Sequence, residues 1–229
     1  MSHDQSVAND RMENISSQRM GQVLSASPFI PSVTLKQVDS WKRIGEFAER
    51  AGLSAVEVLL RTPHAEKGVF QLKENFPSLK VGLGTVLTLG DFQKAIDCGA
   101  DFVVSPGQLP ELLEKARSTS LAYLPGVMTP SEIMLVSSYG FWNAKLFPAG
   151  YLAEPFIKGM EGPYPHMKYC VAGGVSEENW SFFAQCLSVR SISGTWILPQ
   201  ETLNESEAQQ FVEKLEEKHF QFAKFRNLL

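Results

Sequence analysis

The segment Asn143-Ala144-Lys145-Leu146-Phe147-Pro148 places a lysine inside a run that reads as a β-strand. Two-residue alternation puts Lys145 and Phe147 on the same face of that strand. If the face looks into a closed barrel, desolvation together with nearby positive charge would lower the ammonium pKa toward the neutral amine that attacks a ketone. A buried ion pair with a carboxylate would house the same lysine without any chemistry. An earlier run carries Glu57, Leu59 and Arg61 on one face, so an acid and a cation are expected in the same interior as Lys145. Three inward charges exceed what packing explains, because charges are seldom buried unless paired or functional.

Two glycine-bearing ends come late in the chain, Gly173-Gly174 and Gly194-Thr195. In α/β barrels, backbone amides exposed after strands seven and eight, aided by a helix N-terminus, form a common phosphate site. A plain turn also explains a Gly-Gly pair, so location is what gives this one meaning.

The elements that must position these residues are legible as alternation. Strand-like runs fall at Phe29 to Leu35, Ala55 to Leu60, Val81 to Val86, Phe102 to Ser105, Leu121 to Leu124, Asn143 to Phe147, Lys168 to Ala172 and Arg190 to Ser193. Eight such runs, each separated by one helical stretch, predict a (β/α)₈ TIM barrel. An open doubly wound sheet would carry a GxGxxG fingerprint after its first strand, and none follows Leu35. Trp41, Ile44, Phe47 and Ala51 form one helical stripe, and Leu89, Phe92 and Ile96 another with Gly99 beyond its end. Thr129, Pro130 and Glu132 spell a capping box with proline at the first helical position. A last helix is expected from about Ser206 to Phe225, with Phe211, Leu215 and Phe222 facing the barrel. Residues 1–26 read as a polar N-terminal extension with a short helix around Met20 to Leu24, and residues 27–229 as one barrel domain. Lys80 and Lys168 precede the apolar parts of their strands and belong at the mouth opposite the chemistry.

Composition narrows the class. The 229 residues are 44% hydrophobic and 20% charged, enough for one substantial core, with no apolar run long enough for a membrane span. The balance of 21 basic against 25 acidic residues, without a basic stripe, argues against nucleic acid as partner. Cys98, Cys170 and Cys186 form no CxxC pair and fit reduced, buried thiols. The polar start lacks a signal-peptide core, so a cytoplasmic location is expected. His3, His64, His166 and His219 show no metal-ligand spacing, and no metal is expected.

With these residues in hand, the chain resembles the family of 2-keto-3-deoxy-6-phosphogluconate (KDPG) and 4-hydroxy-2-oxoglutarate (KHG) aldolases. The resemblance rests on segments in register: Val56-Glu57-Val58 with Arg61-Thr62, then Gly82 and Gly84-Thr85-Val86-Leu87, Ser105-Pro106-Gly107 and Leu124-Pro125-Gly126. Lys145 to Ala149, Gly173-Gly174 and Gly194-Thr195-Trp196 complete it. It implies a cofactor-free class I aldolase acting on a 2-keto-3-deoxy sugar acid phosphate. Lys145 would form the Schiff base and Glu57 would be the general acid/base. Arg61 and Thr85 would hold the substrate carboxylate, Phe147 would stand beside the lysine, and Gly173, Gly174, Gly194 and Thr195 would bind phosphate. A homotrimer is implied by the same likeness. Leu59 and Ala172, where relatives often carry threonine, and Gly150 to Leu152 depart from the family pattern. The departures leave phosphogalactonate or hydroxyoxoglutarate aldolase, or a non-catalytic phosphometabolite-binding barrel, as alternatives.

Overall fold

The computed structural model describes residues 12–152, 154–199 and 203–226. The expected barrel forms, with every pairing parallel and strand order β5-β4-β3-β2-β1-β9-β8-β7-β6. The strands are β1 (Phe29–Val33), β2 (Ala55–Leu59), β3 (Lys80–Gly84), β4 (Phe102–Val104), β5 (Ala122–Leu124), β6 (Gly126–Val127), β7 (Asn143–Leu146), β8 (Lys168–Val171) and β9 (Val189–Gly194).

The fifth expected run, Leu121 to Leu124, appears as β5, and a short strand that was not expected, β6, follows it across Pro125. Proline has no N–H to give to a ladder, and the chain changes neighbours there: β5 pairs with β4, and β6 pairs with β7. The Pro125 carbonyl still accepts from the Lys145 N–H at 2.8 Å, so the interruption closes the barrel.

Helices cover the outside. Val58, Val81, Leu83, Val103 and Ile192 point outward into a continuous apolar layer shared with Ile44, Leu72, Phe92 and Leu113 of the surrounding helices. The predicted capping box is present at Thr129, whose hydroxyl accepts from the Glu132 N–H while the Glu132 carboxylate accepts from the Thr129 N–H. Leu89 departs from its expected stripe: it lies in the first turn of its helix, at the upper rim, and is exposed. The last helix runs Glu205–Phe225, with Leu215 and Phe222 buried and Phe211 stacked edge-on against Phe47.

The first described helix, α1 (Ile15–Ala26), is longer than the segment anticipated around Met20 to Leu24; residues 1–11 of the polar tail lie outside the described residues. Asn14 caps it by accepting from the Ser17 N–H. Met20 and Leu24, one turn apart, are fully buried against Ile30, Ala55, Phe102, Val104, Ala122, Leu124 and Cys170, the inward residues of the lower barrel. Burial of each of these two side chains contributes about 1.5–3 kcal/mol relative to exposure. The helix therefore floors the barrel, and the chemistry-bearing residues stand above that floor.

Candidate active site

Glu57 and Lys145 meet inside the barrel. Lys145 Nζ donates to Glu57 Oε1 at 3.2 Å, and the two residues are 7% and 2% exposed respectively, which makes them a desolvated pair on opposite sides of the interior. Glu57 fits because Gly84, two residues beyond its register partner Gly82 on β3, has no side chain: a Cβ there would overlap the carboxylate. Lys145 Nζ also lies 5.5 Å from the Phe147 ring centroid, on the shared face that alternation predicts.

The expectation of three inward charges is corrected. Arg61 is exposed at the upper mouth, one residue past the strand end plus Leu60, and the charge facing Lys145 is a carboxylate and not a cation. Alternation fixes a face but not how deep along the barrel axis a residue lies, and β2 ends at Leu59.

Two residues that sequence reasoning missed complete the cluster. Ser32 Oγ donates to Glu57 Oε2 at 2.8 Å and lies 2.9 Å from Ser193 Oγ, which is itself 3.4 Å from the same oxygen. Both serines are buried. Ser32 lies at the position of β1 that faces Glu57 in register, and Ser193 two residues above Ser191 on the inward face of β9. Inward alternation in those two strands was the available signal, but serine is common enough in strands to pass unnoticed.

A cavity of about 200 Å³ opens above this cluster. Its walls include Lys145, Phe147, Arg61, both serines and the glycine segments Gly173-Gly174 and Gly194-Thr195, whereas Thr85 is not among its lining residues. Thr85 directly follows β3 with a left-handed backbone, φ 65°, a conformation a β-branched residue adopts only at a cost. Gly173 and Gly174 also have positive φ, 78° and 74°, which glycine adopts without strain. Neither glycine segment runs straight into a helix. The next helix after Gly174 is the five-residue Trp180–Ala184, and among the described residues none lies between Thr195 and Glu205. Any anion held there rests on loop amides and not on a helix terminus. Beneath Lys145, burial pushes the Cys170 thiol pKa up to about 12, with Lys145 and Glu57 acting in opposite directions.

A larger cavity, about 460 Å³, lies at the opposite mouth beside α1. Its charges are engaged: Arg19 donates to the Ser120 carbonyl, and Asp101 pairs with Lys73 at 2.7 Å and with Lys80 at 3.6 Å. Lys80 and Lys168 stand at this lower end, the latter reaching the Pro165 carbonyl. Among the described residues, no group of three His, Cys, Asp or Glu could hold a metal, and no helix is long and apolar enough to cross a membrane.

A parallel barrel with a buried lysine–carboxylate pair under an upper-rim cavity carries the groups that imine chemistry uses. Residues 20–215 match the family model for KDPG and KHG aldolase, and the chain belongs to that family. The 2-dehydro-3-deoxy-phosphogluconate aldolase of Pseudomonas aeruginosa is 36% identical over 187 residues, 81% of this chain and 84% of the relative. The KHG/KDPG aldolase of Escherichia coli is 30% identical over 79% of this chain and 85% of its own length. Among solved structures, the KDPG aldolase of Legionella pneumophila, with pyruvate captured at low pH as a covalent carbinolamine intermediate, is 34% identical. It superposes with a TM-score of 0.79, over 86% of this chain and 96% of that one. The Zymomonas mobilis KDPG aldolase with 3-phosphoglycerate gives 0.81 at 28% identity, over 87% of this chain and 95% of that one.

Proposed function

We propose that this chain is a class I aldolase that cleaves 2-keto-3-deoxy-6-phosphogluconate to pyruvate and glyceraldehyde 3-phosphate, with Lys145 as the Schiff-base lysine and Glu57 as the acid/base. The observation that carries the assignment of roles is the buried Lys145–Glu57 pair opening on the upper cavity. One proton moving from Nζ to Oε1 along that hydrogen bond frees the amine lone pair for attack and leaves the proton on the carboxyl. The amine attacks the substrate C2 carbonyl, and the proton held by Glu57 leaves with the C2 oxygen as water, giving the protonated imine and the free Glu57 carboxylate. Electrons of the C3–C4 bond flow into that imine as the C4 hydroxyl loses its proton toward the Glu57 carboxylate, releasing glyceraldehyde 3-phosphate. The enamine takes a proton at C3, and water hydrolyses the imine to pyruvate and free Lys145. The protonated imine is itself the electron sink, so the sequence of steps uses no metal or cofactor.

Arg61, at the rim of the cavity, and Thr85, which directly follows β3, are the proposed partners of the substrate carboxylate. Loop amides of Gly173, Gly174 and Gly194 with Thr195 are the proposed phosphate cradle. Residues 27–229 act as the catalytic domain, with α1 as its floor. The active form is read as a cytoplasmic homotrimer, which light scattering on the purified chain would test.

Borohydride reduction in the presence of pyruvate, followed by peptide mass spectrometry, tests the central claim. The expected result is a reduced pyruvyl adduct on Lys145; an unmodified chain overturns it and favours a phosphometabolite-binding barrel without turnover. Specificity constants for phosphogluconate, phosphogalactonate and hydroxyoxoglutarate substrates then test the choice of substrate, for which Ala172 in the cavity wall leaves less polar contact than a threonine would.

A further inference from the structure

Glu57 does not itself line the cavity, although the chemistry needs it to exchange protons with whatever is bound there. It is 2% exposed, and its Oε1 is taken by Lys145. Its other oxygen, Oε2, accepts from the Ser32 hydroxyl at 2.8 Å and lies at a longer 3.4 Å from Ser193 Oγ. With that proton committed to the carboxylate, Ser32 Oγ can only accept from Ser193 Oγ, 2.9 Å away. Ser193 then has a lone pair free, and both serines belong to the cavity wall. Along the shorter contacts, 2.9 Å and 2.8 Å against 3.4 Å for Ser193 directly to Glu57, the path leads from cavity to Ser193, to Ser32, to Glu57.

We propose that Ser193 and Ser32 form a two-hydroxyl proton relay that connects buried Glu57 to substrate, with Ser193 meeting the substrate and Ser32 acting behind it, a proposal resting on the role proposed for Glu57 above. In the cleavage direction, Ser193 Oγ takes the proton of the substrate hydroxyl, or of a water in contact with it. Ser193 passes its own hydroxyl proton to Ser32, and Ser32 passes its own to Glu57 Oε2. Each serine ends with one proton, as it began, and the carboxylate gains one. The reverse traffic returns that proton toward C3 of the enamine. A low-dielectric site favours such concerted movement, because no intermediate charge rests on either hydroxyl.

The relay is tested with pyruvate alone, by exchange of its methyl protons with deuterium oxide, which requires imine formation and proton transfer at C3 but no bond cleavage. Ser32→Ala and Ser193→Ala should still trap pyruvate on Lys145 with borohydride to the same final extent. Their exchange kcat should fall by about tenfold or more, with KM for pyruvate little changed. Ser32→Thr and Ser193→Thr, which keep the hydroxyl, should exchange at close to the unaltered rate. Unaltered exchange in both alanine variants overturns the relay, as does equal loss in alanine and threonine variants, which would mark a packing role. Absence of the trapped adduct from the unaltered chain overturns the aldolase reading and the relay with it, and the missing mass tells that failure from the others. Should an alanine variant lack a melting transition, the unaltered chain decides. A curved dependence of methyl proton loss on deuterium fraction supports movement of several protons, and a straight line overturns it.

Discussion

At the lower end of the barrel, Ile30, Ala55 and Cys170 look inward onto Met20 and Leu24. Two residues further along β1 and β2, the same inward faces present Ser32 and Glu57, and β7 presents Lys145. Apolar filling below excludes water and fixes the strands, and every buried charge of the interior sits above it, already hydrogen-bonded. The contrast teaches that a reactive lysine is housed at depth only because the layer beneath it needs no polar group. A charge placed one layer lower would face Leu124 and Phe102 without a partner.

Substitutions at the two ends should therefore separate turnover from stability. Lys145→Met is expected to lower KDPG cleavage by about 10⁴-fold or more and to abolish the borohydride adduct, measured by coupled assay and mass spectrometry. Leu24→Ala in the floor should do the reverse, lowering unfolding free energy by about 2–5 kcal/mol in urea while kcat/KM at low temperature stays near that of the unaltered chain. A matching loss of kcat/KM would show that the floor shapes the site directly. Arg61→Ala, at the exposed rim, should raise KM about tenfold with kcat little affected, because a rim charge binds substrate and transition state alike.

Smaller effects sharpen the boundary between the layers. Cys170 lies under Lys145 with its thiol pKa pushed up to about 12, so iodoacetamide at neutral pH should label it in the unfolded chain and not in the native one. Labelling of the native chain would mean that the floor opens. On the outer layer, burial holds the His219 pKa below its usual value, against the Leu215 carbonyl and Glu216, which act to raise it. The unfolded chain then binds the proton more readily, so the stability contributed by neutral His219 is present above about pH 6.5 and lost as pH falls through the lower folded value. His219→Gln should flatten that part of the melting-temperature profile.

Much of the fold was legible before any coordinates. Strand alternation, the Thr129 capping box and the helical stripes are local signals, and each reports on chain within one or two turns of itself. The change of strand neighbours at Pro125 was written in the residue type but not in its consequence, because a missing N–H matters only where a neighbouring strand would have received it. The site was half legible: Lys145 and Glu57 announced themselves as charges in apolar strands, while Ser32 and Ser193 carried no such mark.

What the sequence determined by itself is the barrel, the inward faces and the pair of charged residues that must share its interior, since those follow from periodicity and from the segments this chain has in common with its family. Only the tertiary structure decided that Lys145 meets Glu57 while Arg61 stays at the rim, that two serines complete the carboxylate's hydrogen bonds, and that α1 seals the base. Those outcomes depend on strand stagger and on contacts more than a hundred residues apart, such as Ser191 with Leu24, 167 positions away. Alternation along one strand contains no information about how high its neighbour across the barrel stands.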